Sequence, residues 1–180
     1  MIRLATVLDV PYIVSLSKKE NFCLGFIPKM AYEAAITGIK TGKRWSNTCN
    51  DRLFVCVENN DLVGFALFSY GNPAKCNQIC IQEDARLIER GQALLSSAIS
   101  HGNLRGIEDF ACGCADDLPS NVFWSRMGWV KIGERMGISH KNTWVQTSKR
   151  VVNIYRFQTN SLFTNDFGMI LPKENVTIAL

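Results

Sequence analysis

The order of apolar and polar positions along the chain predicts short strands that alternate with amphipathic helices. Residues 2–5 alternate as in a strand, and apolar residues at helical spacing follow over residues 9–20 and 28–40. The second helical pattern is expected to stop at Gly42, because glycine commonly ends a helix. The first forty residues are therefore predicted to hold one strand and two helices.

A β-hairpin is the clearest strand signal in the sequence. Apolar runs at 53–57 and 62–68 flank Asn59-Asn60-Asp61, residue types that tolerate the left-handed backbone of a tight turn. The later pattern predicts a strand at 78–81, a helix at 90–101 stopped by Gly102, a strand at 107–112, a helix at 118–127 and strands at 129–132 and 151–157. This mixture predicts an α/β (α+β) fold with a mostly antiparallel, mixed central sheet and helices on both faces.

Composition and charge restrict the class of protein. The chain has 180 residues, 47% apolar and 20% charged, which suffices for one buried core and is unlike a disordered chain. The apolar runs are far shorter than a membrane span, and the first residues do not have the form of a secretory signal. We therefore expect a single cytoplasmic domain with no membrane partner.

Cysteine usage points to a reducing, intracellular environment. The seven cysteines are an odd number, and Cys56 and Cys80 fall inside predicted strands, which does not fit a disulfide framework. The pair in Cys112-Gly113-Cys114 lacks the two-residue spacer of a zinc-binding pair, and no second pair accompanies it. We expect no metal site.

The segment at 81–95 carries the strongest indication of a ligand site. A predicted strand ends at Ile81, a charged turn follows, and a helix begins near Gly91. Backbone N–H groups in such a turn converge at the positive end of the helix dipole, which suits phosphate oxygens, and Arg86 and Arg90 add charge. A plain strand-to-helix connection with two surface arginines is the alternative that this segment leaves open.

The same segment resembles the pyrophosphate loop of the GNAT acetyltransferase superfamily. Arg86, Gly91, Leu94 and Leu95 match that loop position by position, whereas Glu89 replaces its first glycine and brings a negative charge. The resemblance implies that acetyl-CoA, or another acyl-CoA, is the cofactor. It assigns coenzyme binding to Ile79, Ile81, Arg86, Leu87, Ile88, Glu89, Arg90, Gly91 and Asn121.

Residues 117–129 resemble a second GNAT segment, which ends in Gly-Phe and here ends in Gly128-Trp129. Asn121 stands where the resemblance places an asparagine near the pantetheine arm of the coenzyme. Trp124 stands where it places a tyrosine that protonates the departing thiolate, and an indole cannot take that role. Core packing is the alternative for both tryptophans.

Two amino-terminal stretches extend the resemblance. Residues 2–9 are similar to a frequent GNAT opening, and residues 24–28 are similar to small bacterial and phage members of the superfamily. The matches together span 1–157, which is predicted to be one GNAT-like domain. The extension at 158–180 is too apolar for a free polar tail, so we expect it to pack on the domain or on a second subunit of a homodimer.

The resemblance implies an N-acyltransferase that moves an acyl group, acetyl in the first instance, from the coenzyme to an amine acceptor. The catalytic candidates are Asp116 and Cys114, for which a helix cap and a buried structural thiol are the alternatives. His101, at a helix end where a cation suits the dipole, and His140, in a loop, are poor candidates for a base. The acceptor-side candidates are Lys75, Asn77 and Trp144.

Basic residues crowd the last third of the chain and leave a second class of function open. A solvated basic face is one interpretation, and contact with nucleic acid through Trp144, between Lys141 and Lys149, is the other. The alternatives to the enzyme are therefore a GNAT-fold protein that modifies or binds nucleic acid, and an interaction module without catalysis.

Overall fold

Strands and helices follow one another in the predicted order, with one additional short helix and a pair of short strands near the carboxyl terminus. The structure is a computed structural model that describes residues 1–39, 50–86, 88–137 and 150–159, together with the strands at 162–164 and 170–172. The chain divides into two units, Met1–Ile107 and Glu108–Leu180.

The described residues of the amino-terminal unit form four strands and four α-helices. They are β1 (Ile2–Leu4), α1 (Val10–Lys19), α2 (Asn21–Leu24), α3 (Lys29–Thr37), β2 (Asp51–Glu58), β3 (Asp61–Ser69), β4 (Ala74–Ile81) and α4 (Ile88–Asn103). The strands pair antiparallel in the order β1-β2-β3-β4. Two one-turn 3₁₀ segments precede α1 and α4.

Helices cover both faces of the sheet in this unit, as the apolar pattern predicts. One face carries a core in which Ile13 of α1 and Tyr32 of α3 pack with Val55 and Phe65 of the sheet. On the opposite face α4 contacts β2, β3 and β4, and the ring of Phe54 meets the ring of His101 edge-on. The central residues of β2 and β3 are buried without a break, because successive side chains point to opposite faces and both faces are covered.

The β2–β3 hairpin confirms the prediction made from its turn residues. Asn59 and Asn60 have φ of 50° and 70°, the left-handed values that a two-residue hairpin turn requires. Glu58 pairs directly with Asp61 across the turn.

Glycine positions correct three predicted boundaries. Helix α3 ends at Thr37 because Gly38, at φ 70°, forms a left-handed cap, so residues 38–40 do not belong to the helix and Gly42 is not its stop. Helix α4 runs from Ile88 to Asn103, so Gly102 lies inside the helix and does not stop it. The left-handed residue that follows the helix is Gly106, at φ 73°. The Ile107 amide donates to the Gly102 carbonyl at 3.0 Å, so the strand predicted at 107–112 begins later, at Asp109.

The part of the carboxyl-terminal unit that the structure describes forms five strands and one helix. They are β5 (Asp109–Ala115), α5 (Ser120–Arg126), β6 (Val130–Met136), β7 (Val151–Gln158), β8 (Leu162–Thr164) and β9 (Ile170–Pro172). Strand β7 lies between β5 and β6 and is antiparallel to both. In the stretch at 158–180, β8 and β9 pair antiparallel with each other.

Aromatic side chains form the centre of the carboxyl-terminal unit. Trp129 stacks on Phe157 with ring centroids 5.5 Å apart, and Trp124 lies 4.9 Å from Trp129. Both tryptophans are buried, at 5% and 3% exposure, so core packing is confirmed for them.

Candidate functional site

The turn that joins β4 to α4 is held closely against its neighbours. A Cβ atom added to Gly64 of β3 would lie 2.6 Å from the carbonyl oxygen of Cys80, so only glycine lets β3 approach the end of β4. Beyond Ile81, the Gln82 amide donates to the Val63 carbonyl at 2.8 Å. The side-chain oxygen of Gln82 accepts a 2.6 Å hydrogen bond from the Tyr12 hydroxyl, which ties the turn to α1.

Arg86 and Arg90 flank the start of α4, and each is paired with a carboxylate from another element. Arg86 Nη2 lies 2.8 Å from Glu20 Oε2, and its Nε donates to the Ile81 carbonyl at 3.3 Å. Arg90 pairs with Glu58 and also donates to the Ala85 carbonyl. Both guanidinium groups therefore hold the turn against α1 and β2 through charge-assisted hydrogen bonds.

The first turn of α4 offers backbone donors. The amides of Ile88, Glu89 and Arg90 belong to the first turn, where helix geometry leaves N–H groups without an acceptor inside the helix. The helix has 16 residues, so its dipole adds partial positive charge at this end. Gly91 is buried one turn in. Leu87 lies outside the described residues.

Glu89 is exposed and does not fill the turn. Among the described residues neither arginine pairs with it, since Arg86 and Arg90 use Glu20 and Glu58 instead. The turn itself also carries the carboxylates of Glu83 and Asp84, both exposed. The backbone donors thus fit a phosphate, whereas the side-chain charge around them opposes one.

Strand β4 carries four of the candidate residues named from the sequence. Ile79 and Ile81 are half-buried and stand opposite Ala66 and Gly64 of β3. Lys75 and Asn77 are exposed on the same strand, and Asn77 Nδ2 donates to Ser69 Oγ at 2.6 Å. Ile79 and Ile81 lie on one side of β4 because they are two positions apart. A register shift against β3 between Leu67 and Phe68 interrupts this alternation before Lys75.

Asn121 is a hydrogen-bonding centre within the carboxyl-terminal unit. Its Nδ2 donates to the carbonyls of Ala115 and Leu118, each at 2.7 Å, and contacts that of Asp116 at 3.2 Å. Its Oδ1 accepts from Asn153 Nδ2 and from the Tyr155 hydroxyl, each at 2.9 Å. These contacts occupy both of its amide protons and its oxygen. Its assignment to the coenzyme stays a prediction, while its link between β5, α5 and β7 is structural.

Cys114 and Asp116 stand in contrasting environments. Cys114 is buried, its Sγ lies 3.2 Å from Ser120 Oγ, and burial raises the pKa of its thiol, which favours the protonated form over a reactive thiolate. Asp116 is exposed directly after β5 and caps no helix, because α5 has Pro119 at its N-cap. Its amide donates to the Val151 carbonyl at 3.0 Å.

Three basic residues of the last third are engaged with carboxylates. Arg150 pairs with Asp117 at 2.6 Å, Arg156 Nε donates to Asp109 at 2.9 Å, and Lys131 lies 2.6 Å from Glu134. These pairs lower the free positive charge on which the nucleic-acid alternative depends. Trp144, Lys141 and Lys149 lie outside the described residues.

Sequence patterns did not reveal Tyr12, Glu20 or Glu58 as parts of the site. Each is far from the turn in the chain, Tyr12 by 70 positions from Gln82, and reaches it only through the tertiary fold. In the ranges that the structure describes, no helix is long and apolar enough to cross a membrane. The same ranges contain no cluster of three or more His, Cys, Asp or Glu suited to a metal ion.

Comparison with known proteins identifies the fold. No protein-family model matches the chain, and a search of curated proteins finds no match. Among solved structures, a Desulfovibrio desulfuricans protein assigned as an acetyltransferase of the GNAT family is similar, with a TM-score of 0.67 and 15% identity over 88% of this chain and 98% of that one. The Brucella melitensis ribosomal-protein-alanine N-acetyltransferase gives a TM-score of 0.61 and 15% identity over 88% and 99%.

A third similar structure contains the coenzyme. It is a Bacillus anthracis protein assigned as a streptothricin acetyltransferase and solved in complex with acetyl coenzyme A, with a TM-score of 0.54 and 16% identity over 61% of this chain and 62% of that one. At these identities the likeness concerns the fold. The resemblance read from the sequence is thus confirmed in three dimensions: this chain has the α/β fold of the GNAT acetyltransferases.

Proposed function

We propose that this protein is an N-acyltransferase that moves an acyl group, in the first instance acetyl, from acyl-CoA to an amine. The observation that carries the proposal is the start of α4, where first-turn amides lie beside a turn fixed to β3, α1 and β2. Backbone donors at a helix N-terminus bind phosphate oxygens, and the pyrophosphate of coenzyme A carries such oxygens. The GNAT fold supports the same assignment.

Each part of the amino-terminal site has a separate task under this proposal. The amides of Ile88, Glu89 and Arg90 hold the pyrophosphate, while Arg86 and Arg90 keep the turn in place through Glu20 and Glu58. Ile79 and Ile81 belong to the strand proposed to run beside the pantetheine arm. Bound acyl-CoA supplies the activated thioester.

The acceptor amine must lose a proton, and among the two catalytic candidates Asp116 suits that task better. Its carboxylate is exposed, whereas the thiol of Cys114 is buried with a raised pKa. Trp124 is buried in the aromatic core and has only an indole N–H, so protonation of the leaving thiolate falls to water or another group. Lys75 and Asn77 remain the described candidates on the acceptor side.

The similar proteins are named for different amines, an alanine of a ribosomal protein and streptothricin. The proposal therefore names an amine as the reacting group and does not name the acceptor molecule that carries it. The nucleic-acid alternative receives no support from the described basic residues, three of which are paired.

Thermal unfolding with and without acetyl-CoA tests the proposal on the full chain. A ligand at a hundredfold excess over its Kd stabilises the native state by about 2.7 kcal/mol, which corresponds to a rise in Tm of about 5 °C or more at this size. Gly91→Asp places a charge in the first turn of α4 and should abolish the rise. Ser100→Asp introduces the same group at an exposed position of the same helix and should retain it.

Each variant is compared with itself in the absence of ligand, so a lower starting Tm does not affect the result. An unchanged Tm of the wild type at millimolar acetyl-CoA would contradict coenzyme binding. An equal rise in both variants would place the coenzyme elsewhere. Binding of duplex or single-stranded nucleic acid with a steep salt dependence would support the alternative function.

A further inference from the structure

A pocket of about 310 Å³ lies between α1 and the segment that leads into α3. Its apolar wall is formed by Val14, Phe26, Ile27 and Pro28. Phe26 is 73% exposed although it lines the pocket, so the wall is open to solvent along one side. Exposed aromatic surface beside a concave apolar wall is typical of a ligand site.

The wall of the pocket is supported from beneath by buried polar contacts. Gln78 Nε2 donates to the carbonyls of Leu24 and Gly25 at 3.3 and 3.2 Å, which fixes the segment before Phe26 to β4. Ser17, 6% exposed, lines the pocket, and its Oγ lies 2.9 Å from the Tyr32 hydroxyl. The pocket is therefore formed before any ligand binds, which lowers the entropic cost of binding.

The polar groups around the pocket have one sign of charge. Lys18, Asn21 and Lys29 line it, and none of its lining residues is a carboxylate. Lys29 is 3.2 Å from Glu33, one turn further along α3, and both side chains are solvent-accessible. Lys18 has no ion pair within the described residues. The pocket thus combines an apolar wall with positive charge at its rim, and no carboxylate among the described residues pairs with the Lys18 part of that charge.

We propose that this pocket binds a small organic carboxylate with an aromatic body. The apolar wall, which includes Phe26, contacts the ring, and the ammonium group of Lys18 donates hydrogen bonds to the carboxylate, with Lys29 adding positive charge nearby. A volume of about 310 Å³ corresponds to about ten water molecules of the liquid, so a ligand of about ten non-hydrogen atoms fits. Phenylacetate has that size. None of the residues that line this pocket belongs to the proposed coenzyme site.

Titration of phenylacetate into the full chain, followed by the amide resonances of residues that line the pocket, tests the proposal. Phenylacetamide has the same shape without the charge and should bind at least fivefold more weakly. Lys18→Glu should weaken phenylacetate binding at least tenfold, because it puts a carboxylate at the rim. Lys19→Glu makes the same change in charge at the next residue of α1, which is exposed and does not line the pocket, and should change the affinity less than twofold.

Two results together would support the site. Phenylacetate should give saturable shifts at the pocket and bind more tightly than phenylacetamide, and Lys18→Glu should weaken its binding more than Lys19→Glu does. Three results would each overturn it: no saturable shift with tens of millimolar phenylacetate, equal affinity for phenylacetamide, or equal effects of the two lysine variants. The comparison of acid and amide uses the wild type alone, so it decides the question even if a variant fails to fold.

Discussion

The hydroxyl of Tyr32 donates a 2.6 Å hydrogen bond to Oε1 of Gln78, and both side chains are almost completely buried, at 0% and 2% exposure. The two residues are 46 positions apart and join α3 to β4. The amide nitrogen of Gln78 donates to backbone carbonyls, so all polar atoms of its side chain have partners. A buried polar group is tolerated because it is satisfied in this way.

Removal of the Tyr32 hydroxyl should therefore destabilise the protein. In Tyr32→Phe the oxygen of Gln78 stays buried without its donor, which should lower the free energy of unfolding by about 1–3 kcal/mol. Tyr12→Phe is the matched control, because its hydroxyl donates to Gln82 at the same 2.6 Å but both residues are only half-buried. Urea denaturation measures both variants, and an equal loss would show that burial does not determine the cost.

Asn121 should be sensitive even to a near-isosteric change. Asn121→Asp keeps the shape of the side chain but cannot donate to the carbonyls of Ala115 and Leu118. It should therefore lower the free energy of unfolding by about 2–4 kcal/mol, and Asn121→Ala should lower it by a similar amount. Ser125→Ala, which removes one exposed hydrogen bond to the Asn121 carbonyl, should cost less than about 0.5 kcal/mol. Denaturant unfolding compares the three. If Asn121→Asp were as stable as the wild type, the amide donors would not hold β5 to α5.

His101 should make stability fall in mild acid. The sequence suggests a favourable cation at this helix end, but burial lowers the pKa of His101, and the positive charges of Arg105 and Arg52 lower it further. Its Nε2 is buried without a partner, and its ring contacts those of Phe54 and Tyr70. The folded state therefore disfavours the protonated ring relative to the unfolded chain, and burial opposes the favourable effect of the helix dipole.

The sign of the pH effect follows from that lowered pKa. Below the ordinary histidine pKa of 6.5, the unfolded chain binds the proton more readily than the folded one, so stability falls as the pH falls through that value and levels off below the folded-state pKa. Tm measured from pH 8 to pH 5 should drop less in His101→Phe than in the wild type. His140→Gln removes the other histidine of the sequence, and an equal flattening by that variant would refute the assignment.

Asp9 should make the stability depend on pH in a more acidic range than His101 does. The hydrogen bonds from Arg3, at 2.7 and 2.9 Å, are the main cause that lowers the pKa of Asp9 from 3.8 to about 2, and the Thr6 amide adds another at 2.7 Å. This stabilisation is complete above the unfolded pKa and is lost as the pH falls from about 4 to about 2.

The shift in the pKa of Asp9 sets the expected size of the loss of stability when its carboxylate is removed. A lowering from 3.8 to about 2 corresponds to about 2 kcal/mol at neutral pH, which Asp9→Asn should remove. Asp84→Asn, at an exposed position, should have little effect. The difference in unfolding free energy between Asp9→Asn and the wild type should shrink as the pH approaches 2, and a difference that does not change with pH would contradict the ion pair.

Glu89→Gln should strengthen coenzyme binding. The substitution removes a negative charge from the first turn of α4, where the pyrophosphate is proposed to lie, and repulsion between exposed like charges in water is about 1 kcal/mol or less. The Kd for acetyl-CoA, measured by calorimetry, should fall by up to about fivefold. Glu33→Gln removes the same charge from a half-buried position on α3 and should leave the Kd unchanged. A weaker affinity of Glu89→Gln would indicate that the carboxylate contributes to the site.

Local sequence patterns were sufficient for much of the fold. Apolar periodicity placed α1, α4 and the strands of the hairpin, because each element must present one apolar face to the core. Asn59 and Asn60 marked the turn because few residue types accept a positive φ. Arg86 and Gly91 located the start of α4 by a short, contiguous motif, whose chemistry depends on neighbours in the chain.

Contacts between distant parts of the chain were decided only by the tertiary structure. The carboxylates that bind Arg86 and Arg90, and the hydroxyl of Tyr12 on Gln82, come from elements up to 70 positions away, and no local pattern specifies such pairs. Asn121 looked like a ligand contact in the sequence, whereas its environment shows that both ends of its amide are engaged within the fold. The sequence by itself determined the elements and the position of the turn before α4, because both depend on local backbone geometry. Which side chains are buried, paired or free depends on the packing of those elements, and that packing exists only in the folded chain.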